Sequence, residues 1–172
     1  MGWLDYHLHK FEMTDPSTGL KVNIGIPYDD FGREILPEQK QKINRYFSMD
    51  NRSADYVYDF GDTWEHKIQL EKILPREKGV TYPICIKGKR ACPPEDCGEI
   101  WGYEDLLEII RDPDHEEHEE MLEWLGGEFD PEHFDAKEVS FDDPDKRLKI
   151  AFGYKTKHHL RNSSRNSISM IV

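Results

Sequence analysis

The run from residue 56 to residue 72, YVYDFGDTWEHKIQLEK, holds several side chains that can do chemistry. Asp59 and Asp62 flank a glycine, and His66 stands two residues after Trp64. A carboxylate beside an imidazole can perform general acid–base chemistry or bind a metal ion. The alternative is structural, because aspartates commonly cap turn N–H groups and His66 can pack under Trp64. The Asp-Phe-Gly triplet does not indicate a kinase, since the Gly-rich loop, strand lysine and HRD loop are missing.

Two further stretches carry polar side chains of the same kinds. A strand presents His7 and His9 on one face, because they are two residues apart, and metal ions accept that geometry. Glu95 and Asp96 follow a Pro-Pro pair, and binding residues gather in loops held by a rigid scaffold. We therefore predict one functional surface at the ends of neighbouring strands, made of His7, His9, Asp59, Asp62, Trp64, His66, Glu95 and Asp96.

Other combinations of metal ligands are also open. Cys92 and Cys97, with Cys85 and a nearby histidine, can chelate zinc, although zinc knuckles use closer cysteine pairs. His115 and His118 share a helix face, but HEEHE lacks the four-residue spacing of the zincin motif. The alternative metal ligands are therefore His66, Cys85, Cys92, Cys97, His115 and His118. A divalent metal is the one cofactor that these residues suggest.

Alternating side chains predict the strands that position these groups. WLDYHLHKFEM alternates, a turn cluster follows at 15–19, and LKVNIGI alternates again, which predicts an antiparallel hairpin. From Tyr56 to Leu70 the even positions are mostly aromatic or apolar and the odd positions mostly polar. A two-residue turn at Gly61-Asp62 would break that parity, so the pattern favours an odd-length loop or a bulged strand.

Helical signals occur at three places. We predict a helix from Pro37 to Ser48, a second through Tyr103 that ends at Asp112, and a third over DHEEHEEMLEWLGG, capped by its glycines. Residues 81–103 are predicted to be irregular, because Pro93-Pro94 excludes a helix and an inner strand. The fold class is α+β: a single domain with an antiparallel sheet and helices after residue 100 packed on one face.

Composition and charge narrow the class of protein. The 172 residues are 37% hydrophobic and 12% aromatic, which suits one folded domain. No run of roughly 18–20 apolar residues and no signal peptide is present, so we expect no membrane span and a cytoplasmic protein. Residues 153–172 carry four basic side chains and no acid, which leaves −12 − 4 = −16 on residues 1–152. Residues 1–152 would therefore repel the phosphate backbone of a nucleic acid, which argues against direct nucleic-acid binding by this part of the chain. We place the domain at 1–150 and a basic, disordered tail at 151–172.

Five blocks resemble the plasmid pRiA4b ORF-3-like family over about Gly2 to Leu148: GWLDYHLHKF, YVYDFGDTWEHKIQLEKI, YPICIKGKRACPPEDCG, WGYEDLLEII and HEEHEEMLEWLGGEFDPEHFD. Members of that family occur on plasmids, as passenger proteins of insertion sequences (some labelled TnpR-like), and in bacterial and archaeal chromosomes. The resemblance implies an α+β fold and no established activity. A resolvase is not supported, since that enzyme needs a catalytic serine, several arginines and a basic DNA-binding domain.

The chain departs from the family pattern at two points. Members usually carry a strand and a helix before the GWxxxHLHxF block, so the resemblance implies a truncated or mis-started chain with an unpaired sheet edge and a tendency to oligomerise. Glu99 stands where the family motif PPEDCGG has its second glycine, and a turn that needs a positive φ there would be strained.

Two functions follow from these observations. The first is a mobile-element-associated binding or accessory module that contacts an unknown protein or a small ligand, with a homo-oligomer as a compatible state. The alternative is a metal-dependent hydrolase or nuclease with Asp and His ligands. That alternative requires at least three such side chains to converge on one point with an open coordination position.

Overall fold

The computed structural model describes residues 2–28, 32, 34–143 and 146; the tail predicted at 151–172 lies outside this range. The described chain forms strands β1 (His9–Thr14), β2 (Lys21–Gly25), β3 (Ile35–Pro37), β4 (Ser53–Tyr58) and β5 (Trp64–Gln69). Its helices are a 3₁₀ turn (Glu38–Lys40), α1 (Ile43–Tyr46), α2 (Glu99–Arg111) and α3 (His118–Leu125). None of these helices has the length and apolarity needed to cross a membrane.

The strands form one mixed sheet in the order β3-β2-β1-β4-β5. The predicted hairpin of β1 and β2 is confirmed, and the β1–β4 and β4–β5 pairs are also antiparallel. The β2–β3 pair is parallel, so the prediction of an entirely antiparallel sheet was wrong at this edge. The three residues of β3 are too few to show an alternating pattern in the sequence. The α+β class itself is confirmed.

The hairpin of β4 and β5 explains the parity of the 56–72 run. Tyr58 lies opposite Trp64, so the five residues from Asp59 to Thr63 make the predicted odd-length loop. Tyr56 lies opposite His66 in the same register, which keeps the even-numbered side chains on one face. Asp59 and Thr63 have positive φ values of 55° and 52°, which close the loop without a tight two-residue turn.

The two faces of the sheet differ in polarity. One face carries the buried core, in which sheet residues pack against α1 and the chain that follows it: Met13, Ile24, Ala54, Ile68, Tyr46, Phe47 and Leu70. The opposite face carries Lys10, Glu12, Asp55 and Lys67 along the rows fixed by the strand register. An open groove of about 690 Å³ runs over this polar face.

The helices partly match the sequence prediction. α2 ends at Arg111 and α3 is capped by Gly126 at φ 77°, as predicted. The continuous helix predicted from Pro37 to Ser48 was wrong, because Gln41 and Lys42 adopt extended backbone between the 3₁₀ turn and α1. Tyr103 of α2 lies edge-on to Trp64 at 6.4 Å, which places α2 on the core side of the sheet.

Candidate metal centre

The N-terminal segment, residues 2–8, carries one member of the site, His7. Trp3 anchors the segment: its ring stacks on Tyr58 with centroids 4.8 Å apart, and its Nε1 donates to the Pro93 carbonyl at 2.9 Å. Leu4 and Tyr6, which alternate with the anchoring side chains, are exposed. The segment is thereby fastened both to β4 and to the Pro-Pro loop.

His7 lies among three carboxylates, and together these residues form what we call the His7 cluster: His7, Asp59, Glu95 and Asp96. Nδ1 of His7 is 3.6 Å from Oδ2 of Asp59. On the other side of the ring, Nε2 is 3.2 Å from Oδ1 of Asp96 and 3.8 Å from Oε2 of Glu95. The imidazole therefore lies between the end of β4 and the loop that precedes α2.

Asp59 is positioned by the backbone at the end of β4. Its N–H donates to the Leu8 carbonyl at 3.0 Å, and its Oδ1 accepts the Gly61 N–H at 2.9 Å. Its φ of 55° lies in the left-handed region, which aspartate tolerates better than most residues. With Oδ1 engaged by the turn, Oδ2 is the oxygen that faces His7.

Glu95 and Asp96 differ in how firmly they are held. Oε1 of Glu95 accepts the Leu4 N–H at 2.6 Å and the Tyr58 hydroxyl at 3.0 Å. Burial, with the adjacent Glu95 charge, raises the pKa of Tyr58, so its hydroxyl stays protonated and keeps donating. The Asp96 side chain is 71% exposed and opens one side of the cluster to solvent.

The electrostatics of the cluster favour a cation. Three carboxylates surround one imidazole, and within the described part of the chain their ion pairs run to His7. His7, Asp59 and Asp96 each offer one ligand atom, and these atoms lie within 4.8 Å of one another. Ligands at about 2.1 Å from a tetrahedral zinc ion lie roughly 3.4 Å apart, close to the 3.2 Å between Nε2 of His7 and Oδ1 of Asp96. Ligand atoms of the set that are as far as 4.8 Å apart would have to move closer around a bound ion.

His9, which was predicted to share this surface, has other partners. It is buried, and its Nε2 is hydrogen-bonded to Oε2 of Glu38 at 2.8 Å. Its Nδ1 lies 3.2 Å from Oδ1 of Asp5 but off the hydrogen-bond direction, so that contact is electrostatic. Burial opposes the charge, yet the two carboxylates prevail and raise the pKa of His9 to about 9. The residue is therefore a buried cation that joins the N-terminal segment to the 3₁₀ turn.

Three more members of the predicted surface, His66 and Trp64 of β5 and Asp62 of the hairpin loop, have partners outside the His7 cluster. His66 packs against Trp3 at 5.2 Å, its Nδ1 is buried without a hydrogen bond among the described residues, and burial lowers its pKa. Trp64 lies between Trp3 and Tyr103. Oδ2 of Asp62 accepts the Gly98 N–H at 3.2 Å, which ties the hairpin loop to the start of α2.

The alternative metal ligands do not converge within the described residues, where the group able to hold an ion is His7, Asp59 and Asp96. Burial, then the nearby Asp62 charge, raises the pKa of Cys97 to about 11, which disfavours the thiolate that zinc requires. His115 and His118 serve the connection between α2 and α3, where Nδ1 of His115 accepts the Glu117 N–H at 3.1 Å. Nδ1 of His118 lies 3.0 Å from the Ile109 carbonyl. Cys85 contacts the Lys87 carbonyl at 3.8 Å.

Some residues that build the site were not singled out in the sequence. Trp3 and Tyr58 hold the N-terminal segment and Glu95 in place, and Asp5 and Glu38 draw His9 away from the cluster. The alternation that aligns Tyr58 with Trp64 on one face is the signal that could have identified Tyr58. The partners of His9 carry no comparable signal.

Comparison with known proteins places the chain among uncharacterised relatives. A family model described as "Plasmid pRiA4b ORF-3-like protein" matches residues 1–138. "Uncharacterized protein y4hQ" of Sinorhizobium fredii (strain NBRC 101917 / NGR234) is 37% identical over 127 residues, which cover 73% of this chain and 62% of y4hQ. The chain thus spans less than two thirds of that relative's length.

A solved structure shares the fold. The crystal structure of the protein of unknown function MM3350 from Methanosarcina mazei Go1 matches with a TM-score of 0.74 and 54% sequence identity. The match covers 82% of this chain and 77% of MM3350. The chain belongs to the plasmid pRiA4b ORF-3-like family.

Proposed function

We propose that this protein is a divalent-cation-binding module and that the His7 cluster is its ligand site. The observation that carries the proposal is the convergence of His7, Asp59 and Asp96, whose ligand atoms lie within 4.8 Å of one another. Two loops and the N-terminal segment bring these residues together, and a bound cation would neutralise the carboxylates that now crowd one imidazole.

The donor set indicates which ions to expect. One imidazole nitrogen with carboxylate oxygens suits Zn²⁺ and, more weakly, Mn²⁺, because affinities rise along the first-row series. Ca²⁺ prefers six to eight oxygen ligands, which a cluster of this size supplies poorly. We therefore expect binding in the order Zn²⁺, Mn²⁺, Ca²⁺.

The exposure of Asp96 supports a binding role for the ion. Because this carboxylate is 71% exposed, an ion beside it would keep open coordination positions toward solvent. Through those positions the ion would take an oxygen or nitrogen donor from a protein partner or a small ligand. The plasmid in the family description supports a role of such a module in mobile elements.

A metal-dependent hydrolase is the second candidate, and the position of Glu95 favours it. Its Oε2 is 3.8 Å from His7 Nε2, close enough to accept a proton from water bound to the ion. The same carboxylate already accepts hydrogen bonds from the Leu4 N–H and the Tyr58 hydroxyl, so it is engaged in holding the N-terminal segment against β4. For this reason we place the binding module first.

Titration calorimetry with ZnCl₂ and MnCl₂ tests the proposal on chelator-treated protein. We expect one Zn²⁺ per chain, and at least about tenfold weaker binding for Asp96→Asn, because the change removes a charged ligand. Asparagine tolerates the φ of 56° at this position, so the fold stays intact. Asp114→Asn, an exposed aspartate on the loop between α2 and α3, is the matched control and should bind as the wild type does. Equal affinity of the two variants would contradict the proposal.

A further inference from the structure

The β5 edge of the sheet has no strand beside it within the described residues. β5 pairs with β4 on one side, and the strand order ends there. The backbone hydrogen bonds of the described loops and turns leave residues 64–69 without a second partner. An edge of this kind offers a row of N–H and C=O groups that a further strand can pair with.

Symmetry restricts how a second copy could pair there. Two edges related by a two-fold axis normal to the sheet run antiparallel, and each face of one sheet continues into the same face of the other. The axis must then lie midway between one residue and the same residue of the second copy, because residues that lie opposite each other in antiparallel strands share a face. The centres that keep most of β5 paired are His66 and Lys67, each of which pairs five of the six residues of the strand.

Charge selects one of these two registers. A centre at Lys67 places two ammonium groups opposite each other. With the axis at His66, Glu65 of each copy faces Lys67 of the other, so two opposite-charge pairs form. The side chains of Glu65 and Lys67 are exposed in the single chain, so both are accessible to a second copy without rearrangement.

We propose that two copies of this chain associate through their β5 edges about a two-fold axis at His66, which joins the two five-stranded sheets into one. On the core face the same register places Trp64 opposite Ile68 of the second copy. Lysines along an edge strand often prevent association, because the positive charges of two such edges repel each other. In β5 the acidic Glu65 and the basic Lys67 stand two residues apart, so each meets the opposite charge on the second copy. A six-residue edge buries less than a standard interface, so we expect a dissociation constant of roughly 1–100 µM.

Sedimentation equilibrium of the full chain over a concentration series tests this proposal. Glu65→Lys is the decisive variant, because residue 65 faces Val57 within the chain and its change leaves the internal pairs intact. We expect a dimer that weakens at least about tenfold in Glu65→Lys, because each symmetric pair then opposes two lysines. Glu104→Lys, an exposed reversal on α2, is the control and should dimerise as the wild type does.

A mixing experiment excludes a general effect of charge. Lys67→Glu alone should weaken the dimer to the same extent as Glu65→Lys. An equimolar mixture of the two variants should form a one-to-one dimer within about threefold of the wild-type affinity, because both cross-pairs are again of opposite sign. Lys67→Glu places an acid opposite Asp55, so circular dichroism checks that this variant is folded. A monomer at about 300 µM wild type, an unaffected Glu65→Lys dimer, or a mixture that stays monomeric would each overturn the proposal.

Discussion

Raising the pH should destabilise this protein through His9. The imidazole is 7% exposed and lies between Glu38 at 2.8 Å and Asp5 at 3.2 Å. Although burial disfavours the charged form, these carboxylates raise the pKa of His9 from 6.5 to about 9. The protonated ring holds the N-terminal segment, which carries His7, against the 3₁₀ turn. Its deprotonation removes both ionic contacts at once.

The size of the effect follows from the two pKa values of His9. Between the unfolded value of 6.5 and the folded value of about 9, the native state binds a proton that the unfolded state has released. The free energy of unfolding therefore falls as the pH rises, by about 1.4 kcal/mol per pH unit in this window. The stabilisation, about 3 kcal/mol, is fully present below pH 6.5 and is lost as the pH passes 9.

Urea unfolding followed by circular dichroism at pH 6, 7.5, 9 and 10 measures this loss. The wild type should lose stability toward pH 10, and His9→Gln, which cannot hold the proton, should be less stable at pH 6 and much flatter in pH dependence. His115→Gln is the control, because that histidine lies on the α2–α3 connection, where its ring accepts the Glu117 N–H and forms no ion pair with a described residue. Parallel pH profiles for wild type and His9→Gln would refute the reasoning.

Three further substitutions test the geometry. Glu99 adopts a φ of 63°, so Glu99→Gly should raise the free energy of unfolding in urea by about 0.5–1 kcal/mol, after subtraction of the entropy that glycine costs. An unchanged free energy of unfolding would show that the backbone at residue 99 is not strained. Tyr58→Phe should cost about 1.5–3 kcal/mol in urea unfolding by removing the hydroxyl bond to Glu95, and a neutral result would show that bond to be dispensable. Gly102→Ala should cost about 1–3 kcal/mol in thermal unfolding, because its Cβ overlaps the Cys97 carbonyl oxygen, and a stable variant would contradict that contact.

The fold was predictable where local pattern determines it. Alternation from Tyr56 to Leu70 led to the odd-length loop, and the glycines after Leu125 marked the end of α3. The family motif has a glycine at position 99, where a turn that needs a positive φ would be strained by the glutamate, and Glu99 adopts a φ of 63°. Strand β3 and the break in the helix at Gln41 were not predicted, because a three-residue strand and isolated extended residues leave no periodic pattern in the sequence.

The candidate site was predictable in its residues and not in their grouping. The position of His7 on a strand and of Asp96 in a loop led us to predict that both belong to one functional surface. In the structure Nε2 of His7 lies 3.2 Å from Oδ1 of Asp96. The separation of His9 depends on Glu38, 29 residues away, and the approach of the Pro-Pro loop depends on a Trp3 bond to Pro93 across 90 residues. Contacts between such distant residues depend on tertiary packing, which a single sequence does not display.

The central claim is that the His7 cluster holds a divalent cation. Anomalous diffraction on either side of the zinc absorption edge, from crystals grown without chelator and soaked in ZnCl₂, tests it most directly. We expect an anomalous peak about 2.0–2.3 Å from His7 and from the carboxylates of Asp59 and Asp96, with that peak absent in Asp96→Asn crystals soaked in the same way. Zinc density elsewhere in the molecule, with this cluster empty, would contradict the account.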